Sequence, residues 1–273
     1  MWSLLLLPIS GFLVGIVASL TGVGGGIFIV PLLTILFGFI PQHAVGTSLT
    51  SIIFTAAAAT YSYAQQKRVF YRTGLLLAVT TVPGAYLGAH LTSLISPAVL
   101  GLIFGVFLLF MALRMIFQGP GRFSWRTLPA SEPSGPDQMI SKPQKSDAEL
   151  MKSTKILVLG VALSFFAGLA SGFLGIGGGV LGVPIMTLSM GLPIHFATAT
   201  SMFTMIFTSL SGVAKHALAH HVHLSQALLL ALGTIFGAQV GADFSKRVSG
   251  KNLGRIFGAV LLLMSLQMIL RFL

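Results

Sequence analysis

The chain of 273 residues contains no cysteine, five acidic residues and two tryptophans. Without cysteine there is no disulfide, no thiolate metal site and no catalytic thiol. Four of the five acids, Glu132, Asp137, Asp147 and Glu149, fall in one stretch, which leaves Asp243 as the only acid elsewhere. Strictly alternating apolar segments are missing too, and that disfavours a membrane β-barrel. The opening Met1-Trp2-Ser3-Leu4 has no basic n-region, so it reads as the start of a first helix and not as a secretory signal.

What is present is hydrophobic. Apolar side chains make up 55% of the chain and charged ones 8%, with a mean hydropathy of +0.94. That balance is incompatible with a soluble domain. Apolar runs of about 18 residues or more read as membrane-spanning helices. The expectation is an all-α polytopic membrane protein with segments at 4–20, 27–40, 44–64, 74–94 and 98–117, then 156–171, 180–190, 196–214, 224–244 and 253–273. Between the two groups, residues 118–154 are rich in Pro, Ser, Lys and Glu and lack periodicity. Such a stretch buries too little apolar surface to offset its ordering entropy. Three regions follow: a first transmembrane repeat, 1–117; a flexible cytoplasmic linker, 118–154; and a second transmembrane repeat, 155–273.

The two groups resemble each other. Thr21-Gly22-Val23-Gly24-Gly25-Gly26-Ile27-Phe28-Ile29-Val30-Pro31 returns as Leu174-Gly175-Ile176-Gly177-Gly178-Gly179-Val180-Leu181-Gly182-Val183-Pro184, offset by 153 residues. The same offset carries Thr47-Ser48 to Thr200-Ser201, and Gly84 and Gly88 to Gly237 and Gly241. Glycine-broken apolar segments at matched places in two halves point to a transporter's binding site.

Basic residues suggest how the halves are oriented. The net charge of +11 sits at the ends of apolar segments, as a topology signal and not as a nucleic-acid surface. Lys67, Arg68 and Arg72 mark one turn of the first half, whose next turn is bare. In the second half the bare turn's counterpart carries Lys246, Arg247, Lys251 and Arg255, while the basic turn's counterpart holds histidines. Two inverted repeats of five helical segments follow, around ten in total, with glycine-broken helices at the centre, the linker inside and both termini outside. Arg271, near the outer end, is the objection. Counting each glycine-broken pair as one span would give eight helices and parallel halves.

Several residues could carry chemistry. Each glycine run frees N–H groups at the start of the next helix, at Ile27 and Val180, and such ends suit an anion. Gly24, Gly25, Gly26, Gly177, Gly178 and Gly179 permit close backbone approach. Thr47, Ser48, Thr200 and Ser201 supply neutral hydroxyl donors to an oxyanion, although hydroxyls in such helices mostly bond their own or a neighbouring backbone. His43, His195, Lys215 and His216 are candidates for ion coupling or anion contact. Gly84-xxx-Gly88 and Gly237-xxx-Gly241 read as helix-packing surfaces. The histidines at 216, 220, 221 and 223 have some metal-ligand character, but no carboxylate or cysteine lies near them in sequence, and a solvated helix end is the simpler reading.

The repeated G-x-G-G-G-x(4)-P run, each copy followed by a polar Thr-Ser helix and a G-A-x-[LV]-G-A helix, resembles the TauE/SafE sulfite exporter family of membrane anion transporters. The resemblance covers residues 4–117 and 155–273. It implies a carrier in the cytoplasmic (inner) membrane for sulfite, thiosulfate or organosulfonates such as sulfoacetate, acting as an exporter with proton coupling. Such a carrier would work by alternating access, with no enzyme activity, cofactor or metal. The runs lack the Lys-Ser/Thr of a nucleotide-binding loop, which argues against ATP-driven transport by this chain alone. An anion channel and an intramembrane metal enzyme built on His216–His223 are the competing readings. The partners implied are the lipid bilayer and a small anionic substrate, with no nucleic acid; whether two copies form a homodimer stays open.

Overall fold

A computed structural model of the chain describes residues 2–117, 154–245 and 250–273. Among them the chain is helical throughout: α1 (Trp2–Thr21), α2 (Gly26–Leu36), α3 (Pro41–Gln65), α4 (Tyr71–Leu94), α5 (Pro97–Phe117), α6 (Thr154–Leu174), α7 (Gly179–Pro184, continued by a π turn, Ile185–Ser189), α8 (Ile194–Leu218), α9 (Leu224–Phe244) and α10 (Gly250–Phe272). Except for Thr154, where α6 begins, the linker expected at 118–154 lies outside the described residues, as do Lys246 and Arg247.

Local chemistry sets the boundaries. Pro41 stands in the first turn of α3, where its missing N–H costs nothing. α2 was expected to reach residue 40, but it stops at Leu36. Gly38, at φ +71°, turns the chain so that the Phe39 N–H donates to Leu33 O at 3.1 Å. Gly191, also at φ +71°, ends α7 in the same way, with Leu192 N–H on Met186 O at 3.0 Å. Both are helix stops built on a left-handed glycine. α3 and α8 close alike as well: Lys67 and His220, at matched positions, have φ of +55° and +56°.

Small residues decide the packing. α1 lies along α9 and α4 along α6, while α5 pairs with α10. A Cβ at Gly84 or Gly88 would strike the α6 backbone at Phe165 and Leu169, and one at Gly237 would strike the α1 backbone at Phe12. Those glycines pack helices. α3 touches α8 and α9, and α8 touches α3 and α4, so each pairing in one half has its counterpart in the other. α3 runs beside α9 in the same direction, with Thr47 at His223 and Gln66 at Ala242. α4 and α8 are also parallel, from Thr200 at Phe70 to Ser211 at Val82. Gln42 on α3 reaches Ile95 O at the end of α4, so α3 and α4 are antiparallel.

Among the described residues four helices, α3, α4, α8 and α9, are long and apolar enough to cross a membrane. The most apolar windows of α3 and α8 are 67% and 61% buried, against 44% and 50% for α4 and α9, which puts α3 and α8 at the centre. Large apolar side chains such as Leu75, Val79, Leu87, Leu232 and Phe236 are exposed on the outer helices, where lipid would cover them. α2 and α7 are half-length: 11 helical residues span ~16 Å, against a hydrocarbon core of about 30 Å.

Candidate functional site

The two glycine runs meet at mid-depth between α3 and α8. Their backbones are near copies. Gly22, Gly24 and Gly25 have φ of +75°, +87° and +86°; Gly175, Gly177 and Gly178 have +72°, +79° and +89°. Only glycine adopts three such angles in four residues without strain. The loops also touch: a Cβ on Gly26 would strike Gly175 O, and one on Gly179 would strike Gly22 O. Ile27 and Val180, which open the helical turns beyond, are buried. Ile29 N–H donates to Gly25 O at 3.0 Å and Gly182 N–H to Gly178 O at 2.8 Å, so α2 and α7 begin at the same point of the two loops.

The Thr-Ser pairs hold this crossing. Ser48 Oγ donates to Gly175 O at 2.9 Å and Ser201 Oγ to Gly22 O at 3.3 Å, so each serine clamps the other half's loop. One residue earlier, Thr200 Oγ1 accepts the Phe70 N–H at 3.0 Å, and Thr47 Oγ1 accepts the His223 N–H at 3.1 Å. All four hydroxyls therefore have backbone partners here, at the edge of the glycine loops.

Behind the loops the halves differ. At Gly25 an added Cβ would meet Val14 at 2.8 Å and Ala18 at 3.3 Å; at Gly178 it would find only ordinary contacts with Ser171 and Thr208, at 3.6 Å. A cavity of about 10 Å³, close to what one water molecule requires, lies against Gly177 and Gly178. Ser164, Ser201, Thr204, Thr208 and Thr81 line it together with Gly182 and apolar side chains. Beside it, Ser171 Oγ is buried and has no hydrogen-bond partner among the described residues.

The other predicted residues sit at the two ends of α3 and α8. The structure brings His43 together with the histidines of 216–223. His43 Nδ1 and His223 Nε2 are 2.6 Å apart, and the His43 ring lies 5.5 Å from that of His221. His216 reaches His221 at 3.3 Å between Nδ1 atoms and Gly172 O at 3.1 Å through Nε2. The signal for this was the 153-residue offset, which places His43 and His223 opposite Phe196 and Phe70, themselves in ring contact at 5.3 Å. Burial lowers the His221 pKa from its ordinary value, with charge on His220 acting the same way. Among the described residues no group of three or more ligating side chains is placed to hold a metal. Lys215 and His216 part company: His216 is fully buried, while Lys215 Nζ lies 5.9 Å over the Tyr86 ring. His195 is half-buried at the other end of α8, within electrostatic reach of Arg68.

Sequence reasoning missed two residues. Arg68 was read as a topology signal, but its side chain is 3% exposed. Arg271, the objection to the topology, donates from Nη1 to Thr34 O at 2.6 Å and so caps the C-terminus of α2. Its position has a local cause.

The sequence model of the sulfite exporter TauE/SafE family matches residues 7–268. The chain belongs to the TauE/SafE family. Among its curated relatives is the probable membrane transporter protein YunE of Bacillus subtilis, 34% identical over 98% of this chain and 97% of the relative. The probable membrane transporter protein MJ0441 of Methanocaldococcus jannaschii is 27% identical over 98% and 97%. A probable membrane transporter protein of Xylella fastidiosa is 29% identical over 96% and 93%. No solved structure matches the chain. This TauE/SafE protein is thus a multi-pass membrane protein of a transporter family, and its relatives are named as transporters and not as enzymes.

Proposed function

We propose that this TauE/SafE protein is a secondary carrier for small sulfur-containing anions, sulfite, thiosulfate or organosulfonates such as sulfoacetate, working by alternating access in the cytoplasmic membrane as an exporter. The observation that carries the reading is the crossing of two glycine loops at mid-depth, each clamped by a serine of the other half. Backbone at membrane depth is tolerated outside helices only where it is buried in protein or lines a cavity. Here it adjoins a small cavity with mostly apolar walls, beside the starts of α2 and α7, whose N–H dipoles favour an anion.

The halves form inverted repeats in this reading. Support comes from α3 running parallel to α9 but antiparallel to α4, and from α4 running parallel to α8. The basic residues of the α3–α4 turn then face the cytoplasm, and the histidines 216–223 face outside. The cavity beside Gly178 is too small for a sulfonate, so substrate enters as the halves rock apart and the serine clamps exchange their carbonyl partners for the anion's oxygens. His43 and His223, joined across the halves at the outer end, are the groups placed to couple that motion to protons.

The test is counterflow of labelled thiosulfate or sulfoacetate into proteoliposomes. Saturable uptake that an outward gradient of unlabelled anion accelerates is the expected result. Non-saturating flux without counterflow would show a channel, and no anion flux at all would remove the reading.

A further inference from the structure

Two ring pairs join the halves, and the 153-residue offset turns one into the other. His43, in the first turn of α3, meets His223, which caps the start of α9. Phe196, in the first turn of α8, meets Phe70, which caps the start of α4. The offset carries His43 to Phe196 and Phe70 to His223. Ring centroids stand 4.8 Å apart at 41° for the histidines and 5.3 Å apart at 37° for the phenylalanines. Because α4 runs parallel to α8 and antiparallel to α3, the two pairs lie at opposite ends of the molecule.

Each pair is tied to the crossing of the loops. The His223 N–H donates to Thr47 Oγ1 at 3.1 Å, and the Phe70 N–H to Thr200 Oγ1 at 3.0 Å. Thr47 and Thr200 directly precede the two clamping serines. One helical turn, ~6 Å, separates His43 from Thr47 and Phe196 from Thr200. Parting either ring pair therefore pulls on a residue beside a clamp. Both pairs are in contact at once, and the cavity at the crossing, about 10 Å³, would take no more than a water molecule.

The pairs differ in what they can bind. Phe70 and Phe196 are buried in an apolar cluster with Leu77, Met186 and Leu192, and neither ring takes a proton. His43 and His223 are half-buried, with the Phe39 ring 4.8 Å from that of His223. Their Nδ1 and Nε2 are 2.6 Å apart, so one ring donates and the other must offer a lone pair. One added proton preserves that arrangement and makes the bond charge-assisted. A second leaves two donors facing each other and two cations in contact, which no hydrogen bond can join. Around the pair, among the described residues, stand His221, whose ring is 5.5 Å from that of His43, and His216 and His220 beside His221. Of the remaining titratable groups packed near that end, Arg271 is engaged at the end of α2, Lys215 lies over Tyr86 and His90 is exposed on α4. Asp243 lies at the opposite end with Gln66.

We infer that the two matched ring pairs are the gates at either end of the path through the crossing, and that the histidine gate shuts only when its pair holds no more than one extra proton. The path itself rests on the carrier reading; the inference adds which residues shut each end and which end answers to pH. In that reading the histidine gate faces outside. Acid there holds it open, and loss of a proton lets it shut. The phenylalanine gate closes by burying apolar rings, at any pH.

The chain has no cysteine, so introduced cysteines report on the gates alone. His43→Cys/His223→Cys and Phe70→Cys/Phe196→Cys are each linked by a short bis-methanethiosulfonate reagent in proteoliposomes. Counterflow of labelled thiosulfate is measured before linking, after linking and after reduction. Linking either pair should stop counterflow, and reduction should restore it. For the proton, Thr47→Cys, one turn inside the histidine gate, is labelled in intact cells by a membrane-impermeant thiol reagent. The rate is divided by that in a His43→Phe/His223→Phe background, which installs the other gate's rings and cancels ionisation of the thiol itself. The ratio should rise on acidification by up to about tenfold per pH unit, the slope of one proton. If the double phenylalanine variant does not fold, His43→Gln replaces it, since it keeps a hydrogen bond and cannot take the second proton. Saturable counterflow that linking leaves unchanged removes the gates and keeps the carrier. A ratio that stays flat with pH overturns the proton step. No counterflow in wild type, with a ratio that still follows pH, removes the carrier and keeps the histidine gate.

Discussion

The two glycine loops share a backbone but not a setting. Their φ angles agree within 8° at each matched glycine, and each is clamped by the serine of the other half. Behind the first loop stand Val14, Ala18 and Ile29; at the matched positions behind the second stand Ala167, Ser171 and Gly182. Two of those exchanges remove volume and the third adds a hydroxyl. The result is a filled first loop and a small cavity with mostly apolar walls at the second. A repeated motif dictates a repeated backbone, whereas a few side chains decide which copy has room for a ligand.

The largest effect is expected where the loops touch. Gly26→Ala and Gly179→Ala each drive a methyl into the other loop's backbone, at Gly175 O and Gly22 O, with nothing flexible to yield. Overpacking of this kind costs about 1–3 kcal/mol and sometimes more. Both variants should give little monodisperse protein on size exclusion, in nearly equal measure. Tolerance of one but not the other would break the equivalence of the loops at their contact.

Next comes exchange of the back wall. Gly182→Ile installs the first half's residue against the second loop, where the only near neighbour of a new Cβ is Ser201 Oγ at 3.3 Å. The protein should still fold, with anion flux in proteoliposomes reduced at least about tenfold, a loss of roughly 1.4 kcal/mol. Unchanged flux would move the substrate away from the second loop.

Alanine at the left-handed glycines gives a finer contrast. Gly25→Ala and Gly178→Ala both strain a φ near +90°, at roughly 1–3 kcal/mol. Gly25→Ala must also displace Val14, 2.8 Å away, while Gly178→Ala has room. Gly25→Ala should therefore melt lower, by a margin that Val14→Ala in the same chain reduces.

Most of the helix order was legible because apolar runs, glycine stops and the 153-residue offset all act locally or by repetition. The helices lie within a few residues of expectation except at α2, where Gly38 makes an earlier stop, and α8, which continues through His216. The crossing of the loops was not legible, because Ser48 meets Gly175 only after both halves have packed. For the same reason the burial of Arg68, the cap made by Arg271 and the joining of His43 to His223 escaped a linear reading. A basic residue in a turn looks the same whether it points to water or into the protein.

The ends of the molecule differ in how they respond to pH. Burial holds the His221 pKa below its ordinary 6.5, so the folded protein takes up that proton less readily than the unfolded chain. Stability from this group is complete above about pH 6.5 and is lost as pH falls below it. The melting temperature should be flat from about pH 7 upward and decline on acidification, more shallowly in His221→Gln. At the Arg68 end the matched cation keeps its proton throughout, so Arg68→Gln should leave the acid limb unchanged. An equal change in both variants would mean that the limb reports general acid unfolding.

Arg271 gives the smallest expected effect and the most local one. Its guanidinium covers Thr34 O and Ile35 O, the free carbonyls at the end of α2, where a positive charge also meets the negative end of the helix dipole. Arg271→Ala should cost about 1 kcal/mol, visible as a fall of about 2–4 °C in melting temperature. The offset pairs α2 with α7, whose Thr187 hydroxyl bonds Val183 O and Pro184 O within its own helix. Hydrogen exchange should therefore quicken in α2 and stay unchanged in α7. Equal acceleration in both would mean that the two half-helices open together, and that the cap stabilises the crossing as a whole.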